Sequence, residues 1–163
     1  MMRIDRETIV YRRATIDDVP ALVDYRVQFL NEHFHHAEDD ATRVLRASLT
    51  EYFARAIPSR EYIAWLAEYE GKVIATSGMV VWQKPAIYGG VESGKLGYLL
   101  NFYTVSEARR KGIGTRLLKE LIKEAVSLGL KYLHLHASKD GIDIYRRAGF
   151  SEPGEPELEL RLR

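Results

Sequence analysis

The chain has no cysteine in 163 residues, which removes disulfides, thiolate metal sites and a cysteine nucleophile together. It has no apolar run approaching the length of a membrane span. The N-terminal stretch MMRIDRETIVYRR lacks the apolar core of a secretory signal. Excess charge of one sign is also missing: 24 basic residues face 23 acidic ones, a net charge of +1. Neither a nucleic-acid partner nor a membrane surface is therefore expected, and any electrostatic capture must come from a local cluster. Repeats, low-complexity tracts and linkers are absent as well. The expectation is a soluble, cytoplasmic protein with one domain spanning residues 1–163.

What is present alternates between two periodicities. IVYRRA (9–14) reads as a strand, and TIDDVP starts a helix, with Thr15 or Asp17 as cap and Pro20 in its first turn. Val19, Leu22, Val23, Arg26 (by its stem), Phe29 and Leu30 follow helical spacing until NEHFHHAEDDA (31–41) breaks it. A second helix is predicted through TRVLRASLTEYFARAI. EYIAWLAEYEGKVIATSGMVVW reads as a hairpin turning at Glu70-Gly71. A polar, glycine-rich loop leads to the strand LGYLLNFYTV. A helix follows, with Ile113, Leu117, Leu118, Leu121, Ile122 and Ala125 on one face. KYLHLHA is a predicted strand, KDGIDIYRRAG a short helix and ELELRLR a final strand. This order predicts an α/β (α+β) fold, a sheet with helices on both faces.

Between LGYLLNFYTV and its helix stands ARRKGIG (108–114). The first N–H groups of a helix are unpaired, and its dipole adds positive charge there. Gly112 and Gly114 let an anion approach the backbone, while Arg109, Arg110 and Lys111 supply full charge. The junction is therefore a candidate pyrophosphate site. A dinucleotide fingerprint is excluded, because Leu117 occupies the third glycine position and KYLHLHA has no acid for a ribose. A Walker loop is excluded because Gly-Lys-Ser/Thr does not occur after the required spacer.

The string VSEARRKGIGT (105–115) resembles the acetyl-CoA-binding motif of the GNAT N-acetyltransferases, Gln/Arg-x-x-Gly-x-Gly/Ala, matched by Arg109, Gly112 and Gly114. IYRRAGF (144–150) resembles the Tyr-x-x-x-Gly-Phe ending of that family, and the element order fits nearly the whole chain. The resemblance implies the GNAT acyl-CoA N-acyltransferase fold, with a central mixed, mostly antiparallel sheet. It implies acetyl-CoA as co-substrate, without a metal. The amides of Arg110, Lys111, Gly112, Ile113 and Gly114, with Thr115, would hold the pyrophosphate. Phe102, Tyr103, Thr104 and Val105, at the end of a splayed strand, would pair with the pantetheine arm. One free N–H there would polarise the thioester carbonyl. Tyr145 would protonate the departing thiolate, or hydrogen-bond it, since a phenol stays protonated at neutral pH. The position of a family Asn is Ser138 here, a shorter hydrogen-bonding group for the pantetheine.

The acceptor is expected to be a primary amine of a small molecule or peptide, attacked directly in a ternary complex. Many relatives place a Glu base on the strand before the phosphate turn, where this chain has Asn101 and no carboxylate. Glu32, His33, Glu92, His134 and His136 are the alternatives. The resemblance puts the region after the first helix on the acceptor side, and so implies Arg26, Phe29, His33 and Phe34, with Trp82 and Tyr88, as candidates for the acceptor pocket. NEHFHHAEDD matches no metal-ligand spacing, so no metal is expected. A weakly catalytic acyl-CoA-binding regulatory module, another acyl donor and an O-linked acceptor remain open alternatives, as does a homodimer through the last strands.

Overall fold

The computed structural model describes residues 4–37, 39–86, 88, 93–139 and 141–162. Its elements are β1 (Val10–Arg13), α1 (Val19–Phe34), α2 (Asp40–Ala56), β2 (Tyr62–Tyr69), β3 (Lys72–Gln83), β4 (Lys95–Thr104), α3 (Ile113–Ser127), β5 (Leu133–His134) and α4 (Ile142–Arg147). The strands form one sheet in the order β1-β2-β3-β4-β5. All neighbours run antiparallel except β4 and β5, which are parallel and joined through α3.

Local chemistry sets the boundaries. Glu70 (φ 49°) and Gly71 (φ 75°) are both left-handed, as a two-residue hairpin turn between β2 and β3 requires. Thr15 caps the single turn Ile16–Asp18 that leads into α1, and Asp18 stands at the N-cap of α1 itself. Its carboxylate accepts from the Thr15 N–H at 2.8 Å and from the Arg12 guanidinium at 2.8 Å through each oxygen. Asp39 caps α2 by accepting from the Thr42 N–H at 2.9 Å. The predicted break at Asn31 comes four residues later. Phe29 stacks on His33 (ring centroids 5.7 Å apart), which keeps Asn31–Phe34 helical until His35 turns left-handed at φ 51°.

The sheet separates two cores. On one face α1 and α2 cover Tyr62, Ala64 and Leu66 with Leu22, Val23, Val27 and Phe53. On the other, α3 lays Leu117, Leu118, Leu121 and Ala125 over Ile63, Ala67, Met79 and Leu99. The alternation along β2 sends neighbouring residues to opposite cores. Each buried Leu or Ile contributes about 1.5–3 kcal/mol of transfer free energy.

Two predicted strands are shorter or missing. Among the described residues KYLHLHA is in register with β4 only at Leu133 and His134. Residues 155–162 form no strand, and Leu158, Leu160 and Leu162 are more than four-fifths exposed. Alternation of Leu with Glu and Arg supplies a strand pattern, but a strand also needs an edge to pair with.

Candidate active site

The site begins at a break in β4. Gly78 pairs with Leu100 and Thr76 with Tyr103, so β4 carries an extra residue opposite Ser77. Asn101 takes up the irregularity with φ 57°, a left-handed conformation that Asn tolerates better than most residues. Its Nδ2 donates to Tyr62 Oη at 2.8 Å, and Thr76 Oγ1 donates to its carbonyl at 3.1 Å. Gly78 makes room for this arrangement, since a Cβ there would lie 1.9 Å from Tyr62 Oη. The buried Asn101 Oδ1 has no partner among the described residues, a penalty of about 1–3 kcal/mol held within the bulge.

The bulge also reverses which way β4 presents its backbone. The Gly97 N–H reaches Tyr132 O on the β5 side, whereas the Val105 N–H reaches Ile74 O on the β3 side. Counting back by two from Val105 keeps Tyr103 on the β3 side, so the polar groups of Phe102 and Thr104 face away from β3. Pairing with β5 stops at Tyr98–His134. The end of β4 is therefore an open edge.

The turn after that edge is a run of free donors. Arg110 (φ 60°) and Gly112 (φ 80°) are left-handed, and the first helical bond of α3 runs from the Arg116 N–H to Gly112 O. Among the described residues the amides of Arg110, Lys111, Gly112, Ile113, Gly114 and Thr115 accordingly have no acceptor. Successive N–H groups in such a conformation form an anion-binding concavity. A Cβ on Gly112 would meet nothing within 4 Å, so the backbone angle, rather than crowding, calls for glycine there.

The three cations of the turn divide. Arg109 does not face the concavity: its Nε donates to Thr104 O at 2.8 Å and its Nη2 to Glu32 Oε2 at 2.7 Å. Arg110 and Lys111 carry no ion pair among the described residues.

Tyr145 on α4 lies next to both features. Its ring meets Phe102 edge-on at 5.6 Å and Phe150 at 5.9 Å, and Ile144 comes within 3.7 Å of where a Gly114 Cβ would stand. Its hydroxyl has no partner among the described residues, and burial pushes its pKa up to about 12. Ser138 starts α4: its Oγ accepts from the Gly141 N–H at 3.2 Å, leaving the hydroxyl proton free for another acceptor.

Residues 22–150 match the model of the acetyltransferase (GNAT) family. The chain belongs to the GNAT acetyltransferase family. It is an acyltransferase by that membership. It resembles the crystal structure of a predicted acetyltransferase from Clostridium acetobutylicum with acetyl-CoA, at 31% identity and TM-score 0.84, over 94% of this chain and 96% of that one. A GCN5-related N-acetyltransferase from Ralstonia eutropha JMP134 superposes with TM-score 0.80 at 24% identity, over 93% of this chain and 98% of that one. Glucosamine-6-phosphate N-acetyltransferase from Arabidopsis thaliana shares the fold at 18% identity and TM-score 0.67, over 94% and 98%. No curated protein matches the sequence.

On the opposite face of the sheet this GNAT domain assembles a second group of side chains. Arg26 lies over Phe29 at 5.6 Å, Phe29 stacks on His33, and His33 meets Phe34 edge-on at 4.7 Å. Trp82 stacks on Tyr98 with centroids 4.8 Å apart. Tyr98 Oη in turn bonds His136 Nδ1, and His136 Nε2 faces Glu157 Oε2 at 3.5 Å. With Tyr98 as donor to Nδ1, the ring hydrogen sits on Nε2, toward Glu157. Tyr88 stands apart from the others, fully exposed.

The base candidates separate on geometry. Glu32 accepts from Tyr103 Oη at 2.6 Å and from Arg109 at 2.7 Å. Desolvation raises its pKa, but these two donors outweigh it and hold the carboxyl below its ordinary value. A carboxylate satisfied in this way is a poor proton acceptor, so its role is to join α1 to the end of β4. Among the described residues His33 and His134 have only ring neighbours, Phe29 and Phe34 for one and Tyr132 for the other. Glu92 lies outside the described residues. Among the described residues no three His, Asp or Glu side chains converge as a metal site. His36 instead pairs with the α2 cap, Asp39, at 3.3 Å.

Tyr98, Tyr62 and the Arg109–Glu32–Tyr103 link were not singled out in the sequence. The signal for Tyr98 was the strand alternation that puts it on the face of Leu100. For the bulge it was an Asn inside an apolar strand.

Proposed function

We propose that this protein transfers the acetyl group of acetyl-CoA to a primary amine of a small molecule or peptide, by direct attack with both substrates bound. The observation that carries this reading is the run of six unpaired amides, Arg110 to Thr115, beside the open edge of β4. The fit to an acyl-CoA is chemical: the concavity suits two phosphates, the edge suits the amides of a pantetheine arm, and Arg110 and Lys111 remain free for a further phosphate.

Acetyl-CoA supplies an activated acyl group when bound. The free backbone groups of Phe102 pair with the arm, and an N–H on this edge polarises the carbonyl under attack. Tyr145 gives its proton to the sulfur as the C–S bond breaks and the N–C bond forms. Its raised pKa keeps it protonated throughout the neutral range. On the other face Tyr98 takes the proton lost by the attacking nitrogen while passing its own to His136 Nδ1, and Glu157 stabilises the resulting imidazolium. One proton leaves the amine and one arrives at the sulfur, and exchange with solvent then returns His136 to its neutral form and Tyr145 to the phenol.

Calorimetric titration with acetyl-CoA beside dephospho-acetyl-CoA tests the reading before any acceptor is known. Saturable binding of the first and weaker binding of the second are expected. No binding of either would overturn the cofactor site, and the enzymatic reading with it.

A further inference from the structure

Arg26 is on the core-facing stripe of α1, one turn after Leu22 and Val23 and next to Val27, which is wholly buried. A guanidinium at such a position loses much of its water, and the usual compensation is a carboxylate. Four other arginines of the fold have one. Arg12 holds Asp18 and Glu68, Arg46 holds Asp24, Arg55 holds Glu61 and Arg109 holds Glu32. Arg26 has no hydrogen bond and no ion pair among the described residues. The two acids nearest to it on α1, Asp24 and Glu32, are both committed elsewhere.

What surrounds Arg26 is aromatic. It lies over Phe29, and its charge is felt by Tyr62 and Tyr98, the tyrosines bound to Asn101 and to His136. Desolvation lowers its pKa, the mark of a cation short of a counter-charge. An arginine fork binds carboxylate or phosphate through two parallel bonds, and aromatic walls strengthen such a pair by excluding water.

We propose that Arg26 is the anion-binding residue of the acceptor subsite and that the acceptor is an amine carrying a carboxylate or phosphate group. This rests on the transferase reading above and adds the acceptor class to it. The anion seats on Arg26 and the amine is presented toward Tyr98, with Phe29 as part of the wall between. A neutral amine leaves the guanidinium uncompensated and is turned over less well.

The test uses acceptor pairs that differ only in the anion: β-alanine with 3-aminopropanol, 2-aminoethyl phosphate with ethanolamine, and α-amino acids with their amides. Release of free CoA gives the rates, and mass spectrometry confirms N-acetylation. For at least one pair the anionic member is expected to have a kcat/KM about ten- to a hundredfold higher. The pair with the largest ratio distinguishes carboxylate from phosphate. Arg26→Met removes the preference without changing acetyl-CoA affinity, and Arg26→Lys retains part of it. Should Arg26→Met fold poorly by circular dichroism, the Lys variant carries the comparison.

Equal kcat/KM within every pair overturns the anion subsite and leaves the transferase standing. A protein that binds acetyl-CoA but acetylates no amine, neutral or anionic, overturns the transferase. A readout without turnover then decides the subsite: titration of the CoA-saturated protein with the anionic compounds. Saturable binding that Arg26→Met abolishes upholds it, and no binding by the wild type overturns it.

Discussion

The two faces of the sheet are built from different materials. On the α3 face the site is backbone: six amides of a turn, the open edge of β4 and one tyrosine above them. On the α1 and α2 face it is side chains, namely Arg26, Phe29, Tyr62, Trp82, Tyr98 and His136, drawn from four separate elements and the segment after β5. A backbone site depends on chain conformation and tolerates most substitutions. A side-chain site depends on identity and can be respecified one residue at a time. The contrast suits a protein whose donor is fixed and whose acceptor is a matter of specificity.

The largest effect should come from attacking the backbone site where conformation is most demanding. Gly112→Glu forces a left-handed residue, at about 1–2 kcal/mol, and sets a negative charge on the anion concavity. Acetyl-CoA affinity is expected to fall about a hundredfold or more, or ~2.7 kcal/mol, while the fold persists because the new Cβ enters open space. Gly112→Ala separates the two terms, since it keeps the strain and adds no charge. Normal affinity in the Glu variant, measured by calorimetry, would return ARRKGIG to a plain helix start.

Next is the one side chain on which the α3 face relies. Tyr145→Phe keeps the contacts with Phe102 and Phe150 but removes the hydroxyl. A drop in kcat of about a hundredfold is expected, with acetyl-CoA affinity changed by less than about twofold. Because burial pushes the phenol up to about 12, the wild type should show no loss of activity from Tyr145 ionisation below about pH 11. Unchanged kcat in the variant would leave Tyr145 a packing residue.

The same contrast decides what could be read from sequence. The backbone site is encoded within seven consecutive residues, because glycines at 112 and 114 specify a local conformation. The hairpin and α3 are legible for the same reason. The motif predicts Arg109 to be a phosphate cation. Arg109 bonds instead to Glu32, 77 positions away, a distance over which periodicity carries no signal. Asn101 and Tyr62 meet across 39 positions only because Gly78 leaves space between them. The predicted final strand fails in the opposite way, since residues 157–162 have the right alternation but find no pairing edge among the described residues. Arg26 was legible as a member of the α1 stripe. That its charged end has no partner is a fact about three dimensions.

On the acceptor face, Tyr98→Phe keeps the stacking on Trp82 and removes the bond to His136. Its kcat/KM should fall about tenfold or somewhat more, as should that of His136→Ala. The double variant should be no worse than either single one, since the two groups move one proton between them. Additive losses would mean that Tyr98 and His136 act separately, and would remove the relay.

The smallest effect concerns how the acceptor face is attached. The entry to α1 depends on the Asp18 carboxylate, which is nine-tenths buried and accepts from Arg12, from the Thr15 N–H and from Thr15 Oγ1. Bonding by Arg12 is the main cause that holds its pKa below the ordinary value, against an opposing contribution from burial. The unfolded chain, with a carboxyl pKa near ~3.9, therefore binds the proton more readily than the folded one. The stabilisation is complete above that pH and is lost as pH falls through it toward the lower folded value. Asp18→Asn should lower stability by about 1–3 kcal/mol at pH 7 and flatten the dependence between about pH 5 and 3, as read from thermal or urea midpoints. Hydrogen exchange should locate the loss in the first turns of α1, with the amides of α3 least affected. An equal acid slope in wild type and Asp18→Asn would show that the acceptor face does not depend on this carboxylate.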